Sequence, residues 1–219
     1  MTITYSPEAP WEIPAKPTLT QRLTNITHST LGKAVEAGYL QDLSIDTVVQ
    51  VSRLPEMTSA RTRAGVPIPI LRLSPAREVD RTATTDGGRP LEQRRTLYGA
   101  AAWASDEQLL AAANRWWPPS GRERVIAAGY LLVAVGGLTI ALLRIDGAPI
   151  TDPDGSGRIE YPATLVARVH DILAREIATD LADDLDPEGL QIAQTALATR
   201  STTRGGGSIG LLDADLPPK

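Results

Sequence analysis

Arg115, Arg122 and Arg124 crowd around the adjacent pair Trp116-Trp117. A guanidinium contacts phosphate oxygens and stacks on flat rings, and an indole face stacks on a nucleobase, so these five residues form a candidate nucleic-acid or nucleotide contact. Arg94 and Arg95, just before Leu97-Tyr98, extend the patch if the chain folds back on it. From Arg53 to Asp146 thirteen arginines face nine acids, a modest positive excess. The competing explanation is that one Trp packs in the core while the arginines form a solvated face.

The segment Asp152-Pro-Asp-Gly-Ser-Gly-Arg-Ile-Glu160 follows the first nine positions of an EF-hand calcium loop, with Asp152, Asp154, Ser156 and Glu160 as candidate ligands. Position twelve is Ala163, where calcium needs a bidentate carboxylate, and the run before Asp152 reads as a strand instead of an entering helix. An Asp/Gly turn between two strands accounts for the same letters. His28 and His170 have no serine motif or metal-ligand spacing around them. Gly205–Ile209 has the glycines of a phosphate cradle without its lysine or its strand–helix context. With no catalytic constellation and no cofactor motif, the chain is expected to be non-catalytic.

The elements around these residues follow from periodicity and punctuation. Met1–Lys16 carries Pro7, Pro10 and Pro14 and no apolar run, so it reads as an extended arm anchored by Trp11 instead of a signal peptide. Apolar spacing over Thr18–Leu43 predicts one or two short helices broken near Thr27–Thr30, stopping at Gly38. Thr47–Val51 and Val66–Leu73 read as strands, the second at an edge or starting at its prolines. Ser105 is an N-cap with Asp106 and Glu107 in the first turn, opening a helix to Trp117 that Pro118-Pro119 ends. Val125–Leu143 has no charge and is long enough to span a bilayer, but Gly136-Gly137 at its centre favours a buried hairpin of Tyr130–Val135 and Leu138–Leu143. Arg158–Tyr161 suits another strand, and Leu165–Leu181 repeats at helical spacing. That predicted helix, with Glu176, Asp180, Asp183 and Asp184 on one side, is followed by a short one over Gly189–Thr199.

The 219 residues include no cysteine, which excludes a disulfide framework, a thiolate nucleophile and any cysteine-based metal site. With 42% apolar residues the chain can bury a core, and a net charge of -4 argues against a binder dominated by electrostatics.

The helix beginning Ser105-Asp-Glu-Gln-Leu-Leu and ending in a tryptophan pair, the Tyr130–Leu143 hairpin and the Gly157-Arg-Ile-Glu-Tyr161 strand together resemble small bacterial and phage PUA-like β-barrel domains over roughly residues 66–161. The resemblance implies a pseudo-barrel with a cleft beside it that holds a base or nucleotide. The Thr82–Ala104 insertion, the N-terminal arm and the acidic C-terminal helices lie outside that pattern.

The expected fold is therefore α+β: a small mixed barrel or sheet with a flanking helix, an N-terminal helical segment and C-terminal helices. Its expected divisions are an arm over 1–17, helices over 18–43, a central β-rich domain over 44–161 with a mobile loop at about 76–93, C-terminal helices over 162–200 and a flexible tail over 201–219. Nucleic acid or a nucleotide is the expected partner, in the cytoplasm and without a membrane. The alternative is a virion-type or scaffold protein that forms homo-oligomers through the arm and the C-terminal helix.

Overall fold

The computed structural model describes residues 13–79, 94–153, 155–179, 186–201, 203–204 and 208–212. In chain order these form α1 (Pro17–Thr24), α2 (His28–Glu36), α3 (Ile45–Arg53), β1 (Glu56–Met57), β2 (Ile70–Leu73), β3 (Arg77–Glu78), β4 (Leu97–Tyr98), α4 (Asp106–Asn114) and α5 (Arg122–Ala128). The hairpin β5 (Tyr130–Val135) and β6 (Leu138–Ile145) follows, then β7 (Ile150–Thr151), β8 (Ile159–Glu160), β9 (Ala163–Asp171) and β10 (Glu176–Ala178). The last elements are α6 (Pro187–Ala196), β11 (Arg200–Ser201), β12 (Thr203–Arg204) and β13 (Ile209–Leu212). The fold is α+β around a nearly closed, barrel-like sheet.

The hairpin organises that sheet. Gly136 and Gly137 sit at φ 59° and 80°, the paired positive values a primed two-residue turn needs. A Cβ on Gly136 would lie 2.7 Å from the Ala34 amide nitrogen, so α2 is seated directly on the turn. All six residues of β5 and the first six of β6 are buried. Runs without alternation are stable only where both faces are covered. Here α5 packs against β5, and α6 against β6 and β9. β2 runs parallel to β5, and β13 adds antiparallel to β2. The other side of β6 takes β9 over Ala141–Ile145 and β11 at Leu138. No helix among the described residues is long and apolar enough to cross a membrane.

Several expected elements change type. Thr47–Val51 lies in helix α3, because Ser44 caps it by accepting from the Thr47 N–H and the buried Thr47, Val48 and Val51 line one helical face. Where the helix over Leu165–Leu181 was expected, the described residues form the β9–β10 hairpin, which ends at Ala178. Leu165, Val166, Ala167, Arg168 and Val169 are consecutive and all buried, which suits a strand covered on both faces and not a surface helix. Helices are thus confined to α6 within 162–200 among the described residues, with Asp186 as its cap and Pro187 in the first turn. α4 stops at Asn114, since Arg115 is extended at φ -154° and Trp117, which precedes a proline, pairs with Ile159.

Other expectations hold. The Ser105 cap, β2 starting beyond Pro69 and the strand at Ile159–Glu160 are present, while the break between α1 and α2 falls at 25–27, ahead of the expected Thr27–Thr30, because Thr27 caps α2 by accepting from the Thr30 N–H. Part of the expected flexible tail joins the sheet as β13. Most of the arm, with Trp11, and residues 80–93 of the expected mobile loop lie outside the described residues. So do Asp180, Asp183 and Asp184.

Candidate nucleic-acid interface

The five residues picked out around the tryptophan pair are divided between interior and surface. Ser105 opens α4 with a capping box: its Oγ accepts from the Gln108 N–H at 3.2 Å, and Gln108 Oε1 accepts from the Ser105 N–H at 3.0 Å. The helix delivers Arg115 and Trp116 inward, and both are buried. Trp117 is half-buried; its indole N–H donates to the Ala113 carbonyl at 2.7 Å, and its backbone pairs with Ile159 in both directions at 2.9 Å. The Trp117 backbone therefore braces the α4–α5 connection against β8, and burial leaves no free stacking face at Trp116.

Arg122 and Arg124 point the other way. Both are exposed on the first turn of α5, and neither forms an ion pair with another described residue. They line a cleft of about 370 Å³ with Pro119, Ser120, Gly121 and Glu123, closed by Ile209 of β13. Tyr161, fully buried behind them, has its phenol pushed up to about 12 by burial, an effect the Arg122 charge partly opposes. Its hydroxyl has no hydrogen-bond partner among the described residues.

Arg95 does reach the patch, through the interior. Its Nη1 donates to the Arg115 carbonyl at 2.8 Å, and its guanidinium carbon lies 4.4 Å from the centroid of the Tyr98 ring. Sequence reasoning missed another large aromatic: Trp103, in the turn before α4, is 67% exposed. An isolated Trp in an alanine run carries no periodic signal, so nothing marked it.

The Asp152–Gly157 segment joins β7 to β8 as a turn. Asp152 N–H donates to the Arg158 carbonyl, Gly155 N–H donates to the Asp152 carbonyl, and the Ser156 hydroxyl donates to the Asp152 carboxylate. Asp152 and Glu160 are buried, and Asp154 lies outside the described residues. No three metal-ligating side chains converge among the described residues.

A larger cleft, about 810 Å³, lies between the α2–α3 connection and the end of β9. Asp42, Asp46 and Asp171 line it together with His170. The Ser44 N–H and the Thr47 hydroxyl hold the Asp42 carboxyl below its ordinary range, which keeps it ionised. Three carboxylates repel a phosphate, so this cleft does not suit the ligand that the arginines do. His28, on α2, bonds Thr20 Oγ1 at 3.1 Å.

Comparison of the chain with protein-family models, with curated proteins and with solved structures finds no match in any of the three.

Proposed function

We propose that this chain is a non-catalytic nucleic-acid or nucleotide-binding protein that holds phosphate with Arg122 and Arg124 beside a PUA-like barrel. The observation that carries the reading is the exposure of these two arginines, without ion-pair partners among the described residues, at the mouth of the cleft closed by Ile209. A guanidinium held in water next to a concave surface costs little to bring against phosphate, because no existing ion pair must be broken first. Arg115, Trp116 and Trp117 serve in this reading by fixing the connection that sets the start of α5. The barrel strands supply the rigid wall.

The test is binding of labelled single-stranded, duplex and mononucleotide probes at low salt, followed by anisotropy. Arg122→Ala and Arg124→Ala are expected to weaken polynucleotide binding, each reducing the slope of log K against log salt by about 1. Absence of binding to all three probes at low salt would overturn the proposal, as would equal affinity and equal slope in the double variant.

A further inference from the structure

The cleft that holds Arg122 and Arg124 has two unequal walls. One is the continuous stretch Pro119–Arg124, and the other is Ile209 of β13. A Cβ on Gly121 would lie 3.5 Å from Ile209 Cγ2, so β13 closes directly over the start of α5. The two ends of β13 are held differently. Leu211 and Leu212 are buried and pair with Arg204 and Thr203 of β12. Ser208 and Ile209 are half-buried; the Arg72 N–H donates to the Ser208 carbonyl at 2.8 Å, and Ile209 pairs with Leu71. No side-chain hydrogen bond or ion pair fixes Ser208, Ile209 or Gly210 among the described residues. Gly210, opposite Ile70, adds no side chain to the ladder. A glycine at that place weakens the strand and absorbs a change of backbone angle at little cost. β2 does not depend on this pairing, since all four of its residues pair with β5 on its other side.

A segment with a short ladder and few side-chain contacts opens before the core does. Opening changes what the cleft can take. Closed, its volume of about 370 Å³ is near the lower end of the roughly 300–1,000 Å³ that ligand pockets occupy, and a polynucleotide has to continue past both walls. Lifting Ile209 removes the second wall and leaves Arg122 and Arg124 beside an open groove. We infer that Ser208–Gly210 is a flap over this cleft, hinged at Gly210 next to the anchored Leu211, and that it leaves the β2 edge when a polynucleotide enters; the inference rests on the function proposed above.

The β2 backbone supplies a readout that needs no ligand. The Arg72 amide faces β13, whereas those of Leu71 and Leu73 face β5, because successive amides of a strand alternate in direction. In the full chain, amide exchange corrected for intrinsic rates is expected to be at least about tenfold faster at Arg72 than at Leu71 and Leu73. Exchange equally slow at all three overturns the flap. Gating is tested with a lock. The chain has no cysteine, so Arg72→Cys/Ser208→Cys introduces its only thiols. The Cα atoms of a hydrogen-bonded antiparallel pair lie about 5.5 Å apart, within disulfide range. The oxidised variant is expected to bind labelled oligo(dT) at least about tenfold more weakly than the same variant reduced, since the lock removes the open state. Should that pair fail to fold or to oxidise, Leu71→Cys/Ile209→Cys, one position along the same ladder, provides a second lock. Equal or tighter binding by the locked form overturns the gating and leaves the proposed function standing. If the parent chain binds no nucleic acid at low salt, the proposed function falls and takes the gating with it.

Discussion

Arg168 on β9 and Asp106 on the first turn of α4 form a 2.8 Å ion pair whose two ends differ in exposure: 1% for the arginine side chain and 47% for the aspartate. The difference predicts unequal substitutions. Removing Arg168 takes the donors from the Ala102 and Ala104 carbonyls while Asp106 stays in water, so Arg168→Met should lower stability by about 2–3 kcal/mol. Asp106→Asn leaves both carbonyl bonds in place and should cost about 1 kcal/mol or less. Urea midpoints of the two variants check the ordering.

The hairpin turn gives a second contrast. Gly136→Ala must put a Cβ at positive φ and against the Ala34 amide, whereas Gly129, at φ 67°, has nothing within 4 Å of the added carbon. Gly129→Ala should therefore lose only the backbone strain, about 1 kcal/mol, and Gly136→Ala distinctly more. Thermal melts of both variants measure the difference.

Trp116 is expected to behave as a core residue. Trp116→Ala should destabilise by about 3–5 kcal/mol, because a large buried ring leaves a cavity. Arg122→Ala, on an exposed turn, should leave the urea midpoint within about 0.5 kcal/mol of the parent. Stability and binding measured together on both variants separate bracing from contact.

Alkaline pH should destabilise the fold through three tyrosines. Burial pushes Tyr39 and Tyr161 up to about 12, and burial together with the Asp186 carboxylate, which accepts the Tyr130 hydroxyl at 2.9 Å, raises Tyr130 as well. Above pH 10 the unfolded chain loses phenolic protons that the folded chain keeps, so the folded state binds more protons and stability falls as pH rises. The contribution is complete below about pH 10 and is lost through the folded values. Urea midpoints from pH 8 to 11 should decline, and Tyr161→Phe should flatten the decline.

Local chemistry was readable where one residue type had one use. Gly136-Gly137 between two apolar runs favoured a tight turn over a continuous span, and Ser105 followed by Asp106 and Glu107 marked a helix start, whereas Asp186-Pro187, legible as a helix break, is the N-cap and first residue of α6. Periodicity was ambiguous where apolar runs were short. Val48 and Val51 fit a strand by propensity but lie on a helix because Ser44 caps it and α3 packs against α1, while Leu165 to Val169 fit a helix by spacing but complete the side of β6.

The sequence alone determined the aliphatic hairpin, its turn and the cluster of arginines near two tryptophans. Only the tertiary structure decided which of those side chains face water. Trp116 and Arg115 turn inward because the backbone after Asn114 leaves the helix to pair with β8, and Arg122 and Arg124 stay outside on the helix that follows. Trp103 faces solvent on a turn whose Ala102 and Ala104 carbonyls are held by Arg168, more than sixty positions away in the chain. A contact at that separation depends on how β9 closes the sheet, and no local pattern of residues encodes it.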